Sequence, residues 1–284
     1  MCGQIEELLL FLPLIKRLPF ILVLTLVSLS ANAQFTDNTT GLLNCPSAEM
    51  NESGTFTITN NFLNKHLLAP KSSPGAYGGW DYNTFGYGFD ITFWGRLEVA
   101  YNCTIFNNKW SPTYDQMDYR ARILVNQDRH FSAKVLLLKE GEFGKNWIPA
   151  LAIGVSDPVT GSGGDYVGSD VSGSGNGYFN RMYIVATKHF SSSWGEIGAS
   201  LGYQYNLRQN PHYNAPCAAV TWRPVWLRNR WFDPKFVFEY DARTPNFGFV
   251  ADIWDSRFEA MFCLQNFQWV SFGLRYKLRL KGSE

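Results

Sequence analysis

Period-two alternation of apolar and polar residues runs through most of the chain, and it restricts what the chain can fold into more than any other feature. Residues 84–93 show it most clearly. Phe85, Tyr87, Phe89, Ile91 and Phe93 share one face, while Thr84, Gly86, Gly88, Asp90 and Thr92 share the other. Successive side chains of a strand point to opposite faces, so this pattern reads as a two-faced β-strand. A second strand sets Leu97, Val99, Tyr101, Cys103 and Ile105 against Arg96, Glu98, Ala100, Asn102 and Thr104, with Trp94-Gly95 as a tight turn between the two. Residues 196–205 and 272–280 repeat the pattern. Weaker alternation fits strands near 54–63, 118–126, 130–139, 148–156, 179–189, 216–223, 235–242, 247–254 and 257–265. No amphipathic helix of useful length appears.

Alternation also occurs in soluble sandwiches, whose apolar face lies inside. The polar face decides between the two. A face bathed in water normally carries many Lys and Glu; here it carries Gly, Ala, Ser and Thr with scattered charges. Charged residues make up 17% of the chain, against about 25% in typical soluble domains. The apolar face is rich in rings, as expected where strands end in interfacial girdles. Tyr87, Phe93, Trp94, Tyr101, Tyr203, Tyr205, Trp222, Tyr240 and Tyr276 are the candidate girdle residues. The expected fold is all-β: a closed antiparallel transmembrane β-barrel of about twelve strands (about 10–14). Closure is required because each unpaired backbone group in lipid costs several kcal/mol. The strand at 269–280 is therefore expected to pair with the first, at 54–63.

The first 33 residues read as a signal peptide. Lys16-Arg17 precede the apolar run Leu18 to Ser28, and Ala31-Asn32-Ala33 forms an A-x-A cleavage site. The chain then divides into a lead segment at 34–53 and a barrel at 54–284. Beyond Gln34 no apolar stretch approaches the roughly 20 residues of a membrane helix. Turn chemistry marks long connections at 64–80, 106–116 and 157–177, the last dense in Gly, Ser and Asp. Long loops alternating with short turns suit a barrel of the outer membrane of a Gram-negative cell. The net charge of +1 gives no electrostatic footprint for nucleic acid. Cys45, Cys103, Cys217 and Cys263 match no zinc spacing; small apolar packing residues are favoured over disulfides, and pairing stays open.

Several segments carry a family resemblance. Thr40-Gly41-Leu42-Leu43-Asn44, with Pro46, Ala48 and Met50 and then Gly54-Thr55-Phe56, resembles the start of the YjbH-like outer-membrane family. Trp94-Gly95-Arg96-Leu97-Glu98-Val99 resembles a second block of that family, and Asp128-Arg129-His130-Phe131 leading to Lys134 and Leu136-Leu137-Leu138 resembles a third. Pro149 to Val155, then Asp157, a glycine-rich loop and Tyr183 to Lys188 resemble a fourth. The resemblance implies an outer-membrane barrel associated with exopolysaccharide production or export. It implies partners among outer-membrane lipid, the polysaccharide and its envelope secretion proteins, and it carries no catalytic residues. Longer family members are about twice this size, so the chain resembles a short form.

Residue chemistry points to no enzyme, cofactor or metal. Barrel lipid hydrolases place a Ser beside a His at the rim. Of His66, His130, His189 and His212, His189 has Ser191, Ser192 and Ser193 close by, an arrangement read more simply as a polar hairpin turn. The glycines at 161–164 and 173–177 lack the strand-to-helix context and Gly-Lys-Ser/Thr ending of a phosphate loop. The lumen-facing candidates are Asp90, Arg96, Glu98, Glu196, Glu239 and Asp241, expected either to pair as a network partly filling the lumen or to line a solute path. A general diffusion pore for small solutes, and less so an outer-membrane lipid hydrolase, are the alternative functions.

Overall fold

A computed structural model describes residues 35–68, 83–106, 126–158, 179–206 and 214–280. The signal peptide, most of the strand expected at 118–126, the glycine-rich part of the 157–177 loop and His212 lie outside the described residues. Among the described residues, twelve strands follow one another in chain order. They are β1 (Thr55–Leu63), β2 (Thr84–Phe93), β3 (Leu97–Phe106), β4 (Asn126–Leu138), β5 (Ala150–Ser156) and β6 (Arg181–Ser192). Then come β7 (Gly195–Tyr205), β8 (Ala215–Pro224), β9 (Phe232–Tyr240), β10 (Pro245–Ile253), β11 (Phe258–Gln265) and β12 (Trp269–Arg279). Each pairs antiparallel with its sequence neighbour, and β1 pairs with β12 from Thr55↔Arg279 to Phe62↔Phe272, closing the sheet.

Closure leaves no free edge, and alternation then assigns every strand an inner and an outer face. On β2, Phe85, Phe89 and Phe93 are exposed, while Thr84, Asp90 and Thr92 are buried. The rule holds around the wall: Ile184, Leu201, Val220, Phe238 and Phe247 point out, and Thr57, Asn102, Ser132, Thr187 and Gln265 point in. In water this would be an inside-out protein. Moving one such outward side chain from water into hydrocarbon is worth roughly 1.5–3 kcal/mol, so the surface matches an apolar surround.

The two ends differ. At one end the connections are the β2–β3 turn at 94–96, residues 139–149, the β6–β7 turn at 193–194, residues 225–231 and the β10–β11 turn at 254–257. The opposite end carries the short turns at 241–244 and 266–268 and the last residues of β1, β3, β5 and β7. We call these the turn end and the loop end. Trp94 and Gly95 both hold left-handed φ (53° and 58°), and the Arg96 amide donates to the Phe93 carbonyl at 2.9 Å. Left-handed φ at both central residues matches the right-handed twist of a hairpin.

Exposed rings collect at both rims. Of the expected girdle, Phe93, Trp94, Trp222 and Tyr276 lie toward the turn end, and Tyr87, Tyr203, Tyr205 and Tyr240 toward the loop end. Tyr101 instead sits mid-wall, against Phe89 and Phe131. The turn-end rim also carries Trp147, Trp194, Trp226, Trp231 and Trp254, all exposed. Alternation could not have found these, because they stand in the connections.

Candidate functional site: the occupied lumen

The lead segment does not lie outside the barrel. From Gly54, at the turn end, it runs back through the lumen, and Phe35 packs near the loop end. Its path is fixed by the side chains it meets. Phe35 O accepts from Asn61 Nδ2 of β1 (2.9 Å), Asp37 O from Asn102 Nδ2 of β3 (2.9 Å), and Thr36 O meets His130 Nε2 of β4 at 2.9 Å. Locally the segment is a small hairpin: Gly41 bridges Pro46, and the Leu42 amide donates to Cys45 O at 3.2 Å. A lumen allows this only where the wall is thin. A Cβ on Gly88 would come 2.0 Å from the Tyr101 carbonyl oxygen of the neighbouring strand and 2.2 Å from Asn38 Nδ2, so both the wall and the segment require glycine there.

Four ionic centres stitch the segment to the wall. In the first, Glu98 and Lys134 pair at 3.0 Å with both side chains fully buried. Glu98 also accepts from the Thr40 amide (2.9 Å), the Thr40 hydroxyl and the Asn51 amide (3.3 Å). Lys134 donates to the carbonyls of Thr40 and Glu49. In the second, Glu239 accepts three consecutive amides, from Leu43 (3.0 Å), Asn44 (2.7 Å) and Cys45 (3.1 Å), plus Asn246 Nδ2 (3.1 Å). Successive backbone N–H groups form an anion-holding concavity, here filled by a wall carboxylate.

In the third centre, Arg181 bonds Asp37 Oδ2 through Nε (2.9 Å) and Nη2 (2.6 Å), and its Nη1 reaches Asn44 O and Gln204 Oε1. The fourth is nearer the turn end. Lys235 Nζ lies 2.7 Å from a Glu49 oxygen, and His189 sits between Glu49 (3.3 Å) and Glu140 (2.7 Å). Burial alone would raise the Glu49 carboxyl; the Lys235 ammonium and the His189 imidazole hold it well below the usual carboxylate range. Glu140 is lowered in the same way, its partial burial outweighed by Lys188 and His189. Beside these, Arg275 donates to Asn38 O and lies 3.4 Å from Asp90.

The loop end of the lumen also holds an apolar cluster beside its buried polar side chains. Phe35, Leu42 and Leu43 pack there with Leu63, Leu67, Leu68 and Phe179 in one buried cluster. The turn end is open and charged. A cavity of about 760 Å³ is lined by Met50 to Glu52 and by Arg223, Asp252, Arg257, Lys277 and Arg279. A second, of about 460 Å³, lies by Trp94 and reaches Glu49, Glu140 and His189.

Asp90, Glu98, Glu239 and Asp241 are all buried, and Glu98 and Glu239 hold the lead segment directly. Asp241 instead caps the β9–β10 turn, accepting the amides of Arg243 (3.0 Å) and Thr244 (2.9 Å). Glu196 is half-buried on the inward phase of β7, at its turn end. Arg96 departs from the expectation of a lumen-facing side chain. It closes the Trp94-Gly95 turn, and from there its guanidinium reaches Glu142 and the Leu137 carbonyl (3.3 Å) rather than the lumen.

Lys134, Arg181, Arg275, Lys235 and Asp37 were missed as site residues. The available signal was a lone base among small residues on an inward phase, as Lys134 follows Ser132 on β4. Both ring nitrogens of His189 meet carboxylates, and Ser192 Oγ donates to Gly195 O at 2.8 Å, so His189 and its neighbouring Ser192 do not pair.

No family model matches the chain, and no curated protein matches it. Among solved structures, a triple mutant of a porin from Rh. blastica aligns over 80% of this chain and 74% of that one, with 10% identity and a TM-score of 0.29. The architecture rests on the strand pairing described above.

Proposed function

We propose that the protein is a non-enzymatic outer-membrane β-barrel that works with an envelope exopolysaccharide system, its lumen held shut at rest by its own lead segment. One observation carries the reading: a closed wall with an apolar exterior has its interior threaded by residues 35–53, bound at Glu98, Glu239 and Arg181. The polysaccharide role comes from the YjbH-like resemblance. Its support is where the resembling blocks meet. Thr40 to Asn44 form the lead-segment hairpin, the second block supplies Glu98 and the third supplies Lys134. The resembling residues thus converge on one contact inside the barrel.

The runner-up, a general diffusion pore, draws on the polar inner wall and the open turn-end cavity. It requires the lead segment to leave. Two measurements separate the readings. Deleting the gene and measuring surface polysaccharide is expected to lower it; unchanged polysaccharide in every growth condition would remove the export role. Liposomes holding the intact protein are expected to swell slowly in small sugars. Fast swelling by the intact protein would favour the pore.

A further inference from the structure

Two thiols meet across the boundary between lead segment and wall. Cys45 ends the 42–45 turn of the lead-segment hairpin, and Cys217 stands on the inward phase of β8. Both are fully buried, and their side chains are in hydrogen-bond contact. The contact is held from either side. The Cys45 amide donates to Glu239 Oε2 at 3.1 Å, which fixes its backbone. Cys217 lies over Gly202 of β7, where even an added Cβ would come 3.2 Å from its Sγ. The other two mature cysteines are placed differently. Cys103 lies opposite Tyr87 on β2 and bonds its hydroxyl, and Cys263 on β11 faces the acidic side chains of Glu239 and Asp241.

We propose that Cys45 and Cys217 are an oxidation site, at which a disulfide ties the lead segment covalently to the barrel wall. The reaction is a thiol–disulfide exchange with an oxidant of the disulfide class, borne on a protein or a small molecule. One cysteine, as thiolate, attacks a sulfur of the oxidant and expels its first thiol. The second cysteine attacks the mixed disulfide, forms the Sγ–Sγ bond and expels the second thiol. One S–S bond breaks and one forms, while two electrons and both cysteine protons end on the two thiols of the reduced oxidant. The Cys217 contact and burial push the Cys45 thiol up. With both sulfurs buried, no oxidant reaches them once the segment is seated, so exchange belongs to assembly, before the lumen fills. Burial afterwards shields the bond from reductants. The oxidising surroundings rest on the outer-membrane reading; the meeting of the two thiols does not.

The test traps thiols in the full-length protein by alkylation at lysis of the cell envelope, then digests it unfolded without reductant. The expected result is a peptide pair joined at Cys45 and Cys217. It is lost in C45S and in C217S, kept in the C103S/C263S double variant, and accompanied by faster migration on a non-reducing gel. A second arm refolds wild-type protein in detergent with oxidised glutathione. A crosslink there, with Cys45 and Cys217 both alkylated in the envelope sample, supports the site and counts against the oxidising location. Alkylation of both Cys45 and Cys217 in both arms overturns the proposal. The heat-dependent gel shift of each serine variant shows that the barrel has formed.

Discussion

Glu98 and Lys134 stand 3.0 Å apart with neither side chain reaching solvent, so removing one partner leaves the other charged and buried. That loss costs about 3–5 kcal/mol, whereas replacing both by groups of similar volume is often near neutral. Lys134→Met is therefore expected to lower the urea midpoint of the refolded barrel strongly, and Glu98→Gln/Lys134→Met to recover much of it. A double variant no better than the single would show that Glu98 acts mainly through the Thr40 and Asn51 amides. The Glu49 cluster adds a pH dependence. Its carboxyl is held low in the folded state, so its contribution is present above the unfolded value of about 4.3 and fades as pH falls toward the folded one. The stability gap between wild type and Glu49→Gln should be constant from neutral pH to about 5 and shrink below about 4. A gap that grows on acidification would reverse the sign and remove Glu49 as the cause.

At the scale of elements, the lead segment behaves as a ligand that happens to be covalently attached. Glu239 satisfies three of its amides at once. Each buried donor left unsatisfied costs about 1–3 kcal/mol. Glu239→Ala is expected to abolish the hydrogen-exchange protection of residues 43–45 while leaving β9 and β10 protected, because their ladder does not use that side chain. Equal loss of protection in strands and segment would mean that the two fold as one unit. Strands, hairpins and closure were legible beforehand, since alternation encodes a face and lipid forbids an open edge. The route of residues 35–53 was not. It depends on contacts between positions far apart in the chain, such as Asn44 with Glu239, and a polar stretch such as Thr36-Asp37-Asn38-Thr39-Thr40 reads the same whether it lies in water or in a polar lumen. The inward phase found Glu98 and Glu239 but misplaced Arg96, because period two holds along a strand and fails in the turn that ends it.

At the scale of the whole molecule, the arrangement inverts the usual order of a soluble protein. Ionic pairs fill the middle, and aliphatic and aromatic side chains cover the outside. This sets how substitutions should behave with depth. Leu201 is among the most exposed apolar side chains and lies midway along β7, whereas Trp226 and Trp231 stand in the 225–231 connection at the turn-end rim. A charge on the lipid face costs about 2–4 kcal/mol at the bilayer midplane and about 0–1 near the interface. Leu201→Arg should therefore destabilise the barrel in lipid vesicles by several times as much as Trp226→Arg, as read from folded fractions along a denaturant titration. In a soluble protein the two exposed sites would respond alike, each within about 0.5 kcal/mol. Depth is the variable that separates the cases: equal, small effects at both positions would leave the outward face without a hydrocarbon neighbour, and the location of the barrel would have to be sought elsewhere.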